Sequence, residues 1–175
     1  MKHPSYRDPY LTVIQRFNRT GVRYVVVGMM GINYYAKNAS GTFATMDYDI
    51  FLEPTLDNVG KALHGRKSQG FSIGTKSGAV EFPGKAAAAG LKQIIRDRAT
   101  LVATTPEGLM VELLLAVSGY PFSELAKDCK TFVIRGVPVR VGKLSKLLRS
   151  KQLAGRTKDK RFLHRYQSLL EEEKD

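Results

Sequence analysis

The chain has one cysteine, Cys129, in 175 residues. No intramolecular disulfide can form, which fits a reducing, cytoplasmic setting. With no histidine near it in sequence, Cys129 reads as structural rather than as a nucleophile. Histidine is nearly as scarce. His3, His64 and His164 are scattered, which argues against a zinc site and against a Ser-His-Asp arrangement. No segment approaches the roughly 20 apolar residues of a membrane span. The opening residues, MKHPSYRDPY, lack the apolar stretch of a secretory signal, so no membrane partner is expected. Internal repeats and linkers are absent too, and residues 1–175 are expected to form one domain. GTKSG, at 74–78, lacks the spacing and the helix of a phosphate-binding P-loop and reads as a turn.

Acidic residues are the scarce charge. Lys and Arg number 28 against 16 Asp and Glu, a formal net charge of +12. Such an excess favours polyanionic partners: nucleic acid, nucleotide phosphates or an anionic surface. The alternative is a solubilising surface.

What is present alternates between helix and strand. Asp8 as N-cap, Pro9 at the first helical position and Gly21 as the stop predict an opening helix. YVVVG is a short strand broken by Gly28, and MMGINYYAKN predicts a second helix before the polar loop ASGTFAT. After the strand TMDYDIFLE, TLDNVGKALHGRKSQG predicts a helix closed by Gly70. Residues 71–84 are Gly-rich and take no assignment. GKAAAAGLKQIIRDR predicts a helix, ATLVATT and LMVELLLAV two strands joined by PEG, and PFSELAKDC a short helix. TFVIRGVPVRV predicts a strand pair or a bent strand. From Lys143 onward the pattern is helical, with a break at AGR. The class is α/β or α+β, a small mixed sheet flanked by helices, with further helices at the C-terminus.

One strand carries an anomaly. In TMDYDIFLE, Tyr48, Ile50 and Leu52 share one face, and Asp47 and Asp49 share the other with Phe51. Two carboxylates at that spacing have Cα atoms roughly 6–7 Å apart and repel each other. Glu112 sits in LMVELLL, otherwise apolar on both faces, so its carboxylate also needs a partner or a route to water. If the two strands are neighbours, three acids converge. A divalent cation that prefers oxygen donors, Mg²⁺ or Mn²⁺, would offset their repulsion. The other reading has the aspartates facing solvent and Glu112 paired with a lysine.

The C-terminal segment, residues 143–175, is basic. From Lys143 to Arg165, nine of 23 residues are Lys or Arg. Helical spacing places Lys143, Lys146, Arg149 and Lys151 on one broad side while Leu144, Leu147 and Leu148 pack inward. Lys143, Lys146 and Arg149 are candidate contacts to RNA phosphates, and a solvated helix face is the plainer alternative.

The order of these features resembles the DNA polymerase β-like nucleotidyltransferase superfamily. It runs helix, YVVVG, short helix and loop, T-M-D-Y-D-I-F-L, then an acid in an apolar strand. Within that superfamily it is similar to the small bacterial group that includes abortive-infection toxins and aminoglycoside or lincosamide nucleotidyltransferases. SKLLRSKQLAGRTKDKRFLHRY resembles that group's C-terminal pattern, in which a Lys precedes A-G-R-x-K-D. The likeness runs from about Tyr24 to about Tyr166. It implies a nucleotidyltransferase-like fold and transfer of a nucleoside monophosphate from an NTP to an acceptor hydroxyl, with Mg²⁺ as cofactor. For the toxin members it implies a place in a toxin–antitoxin pair. Gly28 and Met29 would form the phosphate-holding turn. Asp47, Asp49 and Glu112 would be metal ligands, with Glu112 able to act as base. Lys151, Arg156 and Lys158 would face the nucleotide or brace its site. The basic balance favours RNA, tRNA included, as acceptor. The chain departs from the group where Met29 follows Gly28 in place of Ser or Gly, where Phe43 stands at a position often Arg, and in the length of AKNASGTFA. Met29 and Phe43 favour the rival reading, a non-catalytic nucleic-acid-binding or regulatory module on the same fold, and the intact Asp47, Asp49 and Glu112 favour the enzyme.

Overall fold

The computed structural model describes residues 8–64, 71–75, 78–79, 85–106 and 108–172. Helix α1 (Pro9–Thr20) begins where the sequence places it. The Asp8 carboxylate accepts from the backbone N–H of Tyr10 at 2.9 Å and of Leu11 at 3.3 Å. Gly21 closes the helix at φ 68°, a left-handed turn that costs glycine nothing. Leu11, Val13, Ile14 and Phe17 form its buried face.

The chain then enters the middle of a mixed sheet. Strand β1 (Tyr24–Val26) is buried throughout and leads into α2 (Gly28–Asn33), which is shorter than the segment expected to be helical. A 3₁₀ turn (Ala39–Gly41) precedes β2 (Asp47–Leu52), and α3 (Leu56–Leu63) follows with Thr55 as its cap. The helix expected to run to Gly70 stops at Leu63, where His64 leaves the helical path at ψ 131°; Gly70 itself lies outside the described residues. The unassigned Gly-rich region contributes β3 (Ser72–Thr75) and β4 (Gly78–Ala79). After α4 (Lys85–Arg96), β5 (Leu101–Thr104) and β6 (Met110–Leu114) form the expected antiparallel pair. Helix α5 (Phe122–Lys127) leads to the hairpin of β7 (Lys130–Ile134) and β8 (Val137–Val141). Helices α6 (Leu144–Ala154) and α7 (Thr157–Glu172) finish the chain, separated at Gly155, φ 62°.

The strands order as β4-β3-β5-β6-β2-β1-β8-β7. Two pairings are parallel, β2 with β6 and β1 with β8, and the rest are antiparallel. The core lies at the sheet centre, where Val25, Val26, Ile50, Leu52, Leu101, Ala103, Val111, Leu113, Val139 and Val141 are fully buried. Asn58 ties α3 to it. Its side chain accepts from Arg23 N and donates to the carbonyls of Arg23 and Glu53 at 2.7–3.0 Å. No helix among the described residues is long and apolar enough to cross a membrane.

Candidate active site

The register of β2 on β6 decides the site. Asp49 lies opposite Glu112 and Asp47 opposite Met110, on neighbouring parallel strands. Residues directly opposite in a sheet share a face, so the carboxylates of Asp49 and Glu112 project to the same side, with Asp47 two residues along it. Neither partner strand could be inferred from its own sequence.

Asp49 is the strained member. Burial, then the charges of Glu112 and Asp47, push its pKa up to about 6, against the opposing pull of Lys151 and Lys158. Its Oδ1 is buried and has no hydrogen-bond partner. A buried carboxylate oxygen left unpaired is costly and needs a functional reason or a ligand. Gly28 explains how the chain fits around it. At φ 66° the residue is left-handed, and a Cβ there would collide with Oδ2 of Asp49. Val27 N–H donates to the Asp49 carbonyl at 3.0 Å, which fixes the turn against β2.

Asp49, Glu112 and Gly28 line a cavity of about 350 Å³ whose far wall is α6 and the turn after it, with Ser150, Lys151 and Arg156. Asp47 and Lys158 are not among its lining residues, although both act electrostatically on Asp49. Met29, which follows the glycine, packs against the core and does not line the cavity.

The basic wall is held by a residue that sequence reasoning passed over. Asp159 is fully buried. Its carboxylate accepts from Arg156 Nε at 2.6 Å and from Lys151 Nζ at 3.3 Å. Burial pushes its pKa up, but the Arg156 hydrogen bond and the Lys151 charge outweigh this and hold it below the usual carboxylate value. Arg156 is pushed up, first by that bond and further by Asp49 and Glu112. The signal was present: Asp159 is the D of A-G-R-x-K-D, three residues after Arg156 on one helical turn. Thr100, Ser118 and Ser150 also line the cavity, and nothing in their local sequence marks them.

Phe43, the departure from the family's Arg, has a packing role. Its ring meets Phe162 edge-on at 4.7 Å and lies 6.1 Å from Tyr166, while its backbone exchanges two 2.8 Å hydrogen bonds with the Asn33 side chain. The long loop is thereby pinned between α2 and α7.

Of the three expected RNA contacts, Lys146 is engaged within the fold. Its Nζ donates to Glu124 O at 2.6 Å and to Asp128 Oδ1 at 2.9 Å. Lys143 lies 4.0 Å from Asp128, and Arg149 donates to Gln152 at 2.7 Å. The Lys146 hydrogen bond and the neighbouring lysine charges hold Asp128 below the usual carboxylate value.

The donor set suits a hard divalent cation: carboxylate oxygens, one of them buried and unpaired. Among the described residues, no group of three or more His, Cys, Asp or Glu side chains is gathered closely enough to hold a metal by itself. That is compatible with Mg²⁺, which usually takes one or two carboxylates and completes its shell with substrate phosphate and water.

No protein family and no curated protein matches this chain. Two solved structures from Helicobacter pylori resemble it weakly. JHP933 is 16% identical at a TM-score of 0.39, covering 82% of this chain and 53% of its own. A protein described as a "putative nucleotidyltransferase" is 15% identical at 0.39, covering 82% and 55%. This chain spans about half the length of the structures it matches.

Proposed function

We propose that this chain is a metal-dependent nucleotidyltransferase that moves a nucleoside monophosphate from an NTP to an acceptor hydroxyl, with RNA as the acceptor class. The supporting observation is the buried, unpaired carboxylate of Asp49, in register with Glu112 and facing Lys151 and Arg156 across one cavity. A surface ion pair needs no such arrangement, whereas a site for a triphosphate and its cation needs both signs of charge held apart. Lys151 and Arg156 hold the phosphates, and Lys158 adds positive charge at the edge. The left-handed turn at Gly28 lets the backbone approach closely. Asp49 and Glu112 would hold Mg²⁺ or Mn²⁺, which would neutralise charge on the transferring phosphate, and Asp47, two residues along β2, adds negative charge beside them. The acceptor oxygen attacks the α-phosphorus, its proton passes to the Glu112 carboxylate, and pyrophosphate leaves.

A non-catalytic nucleic-acid-binding module on the same fold is the second reading, favoured by the absence of a closed ligand set among the described residues. One experiment separates the two. The protein is incubated with each α-labelled NTP, Mg²⁺ and total RNA, in parallel with the Glu112→Gln variant. Label on RNA from the wild type and none from the variant is the expected result. RNA binding with no labelled product from any NTP would leave the binding module.

A further inference from the structure

The cations of the two C-terminal helices fall into two kinds of site. On α6 and its cap, Lys143 and Lys146 are drawn toward Asp128 and Glu124, Lys151 is held by Asp159, and exposed Arg149 donates to the neutral Gln152. On α7 the pattern reverses. Lys158, Lys160, Arg161 and Arg165 are all exposed, and among the described residues none has an ion-pair partner. Asp159 is the one acid between Thr157 and Ser168, and it is turned inward.

At 100° per residue, Asp159, Phe162, Leu163 and Tyr166 share the inner side of α7, and the four cations occupy the outer arc. Cations three and four residues apart, such as Lys158 with Arg161 and Arg161 with Arg165, repel and weaken the helix. A surface built only for solubility would intersperse both signs. The row also has a direction. Lys158 follows Arg156, which lines the candidate cavity, by two residues, so the row starts beside that cavity. From there to Arg165 is about 10 Å of helix, the reach of about three phosphates of one strand.

We propose that the outer face of α7 is the docking surface for the phosphate backbone of a single-stranded RNA. Its role in presenting an acceptor rests on the function proposed above. A lipid surface fits less well, because insertion needs exposed apolar residues beside the cations, and here Phe162 is buried and, with Tyr166, packed on Phe43. The cavity of about 350 Å³ is too small for a duplex, and Thr100, Ser118 and Ser150 among its lining residues are of the kind that suits the extra hydroxyl of a ribose.

The test is the salt dependence of binding between the full chain and a fluorescent single-stranded RNA of mixed sequence, without NTP. Lys160→Gln/Arg161→Gln/Arg165→Gln is expected to keep the wild-type melting temperature and to flatten the log–log slope by about two units, at about 0.7 per phosphate. Because Arg165 lies over the Phe43 ring, the double variant Lys160→Gln/Arg161→Gln guards against a folding defect and is expected to lose about 1.4 units. Lys146→Gln should leave the slope unchanged, since that charge is already engaged. Unchanged slopes in the α7 variants, or tighter binding to DNA of the same sequence or to phosphatidylserine vesicles, would overturn the assignment. Failure here is distinct from failure of the enzyme reading. A chain that docks RNA but transfers nothing keeps the surface, and one that labels another acceptor while binding no RNA keeps only the enzyme.

Discussion

At Asp49, burial and the neighbouring carboxylates act in the same direction. Its pKa of about 6 in the folded chain lies above the unfolded value near 4, so between those limits the folded state holds the extra proton. Stability must therefore fall as pH rises through that window and level off above it. In the absence of metal, Asp49→Asn is expected to be more stable than wild type by about 1–3 kcal/mol at neutral pH, with the advantage vanishing toward about pH 4. Urea melts across the pH range check this; a difference that does not change with pH would show that the charge is not confined. Gly28 is bound to the same carboxylate. Gly28→Ala adds a left-handed alanine, about 1–2 kcal/mol, plus the collision with Asp49. In an Asp49→Ala background the carboxylate collision is gone, leaving the backbone cost and a tight 3.1 Å contact with the remaining Cβ, and a double-mutant cycle measures the difference.

Among the elements, the corner between α6 and α7 does what neither helix does alone. Lys151 comes from α6, Arg156 from the turn and Asp159 from α7, and only the corner brings them together. The Lys151 side chain is 12% exposed, so without Asp159 its charge keeps the Phe162 ring at 5.0 Å but has no ion-pair partner among the described residues. Asp159→Asn is expected to cost about 3 kcal/mol in chemical denaturation. Because the Asp159 pKa is lowered in the fold, its contribution is present above the unfolded carboxylate value and lost as pH falls through the folded one, so the variant's acid limb should be flatter. If the proposed function holds, NTP binding should weaken with it, since both cations of the cavity wall lose their anchor. The caps of α1 were legible because Asp8, Pro9 and Gly21 each act on their own backbone. The two strands after Phe71 were not, because glycine-rich strands carry no alternating pattern.

Across the whole molecule, α7 touches the rest partly through aromatic contacts that span over a hundred residues of sequence. Phe43 with Phe162 is the main one. Phe43→Ala is expected to cost about 2–3 kcal/mol and to speed amide hydrogen exchange in α7 while leaving the central strands protected. Equal acceleration in β1 and β2 would mean that α7 and the sheet open as one unit. The same docking carries Lys158 to the neighbourhood of Asp49, so the variant should also raise the KM for NTP if the proposed function holds.

The sequence by itself determined the limits of α1, the strand faces and the identity of the acids on β2 and β6, because capping, period-two alternation and a carboxylate in an apolar run are local facts. Asp47 and Asp49 on one face of β2 needed nothing beyond the pleat of a strand. Tertiary structure decided the rest. It set Asp49 beside Glu112, through a parallel pairing that no local pattern encodes. It turned Asp159 from one acid in a basic run into the anchor of two cations. It engaged Lys146 within the fold and left the α7 cations exposed. Each of these is a choice of neighbour across long stretches of chain. Packing of the core makes that choice, and the charges then take the partners the core has placed within reach.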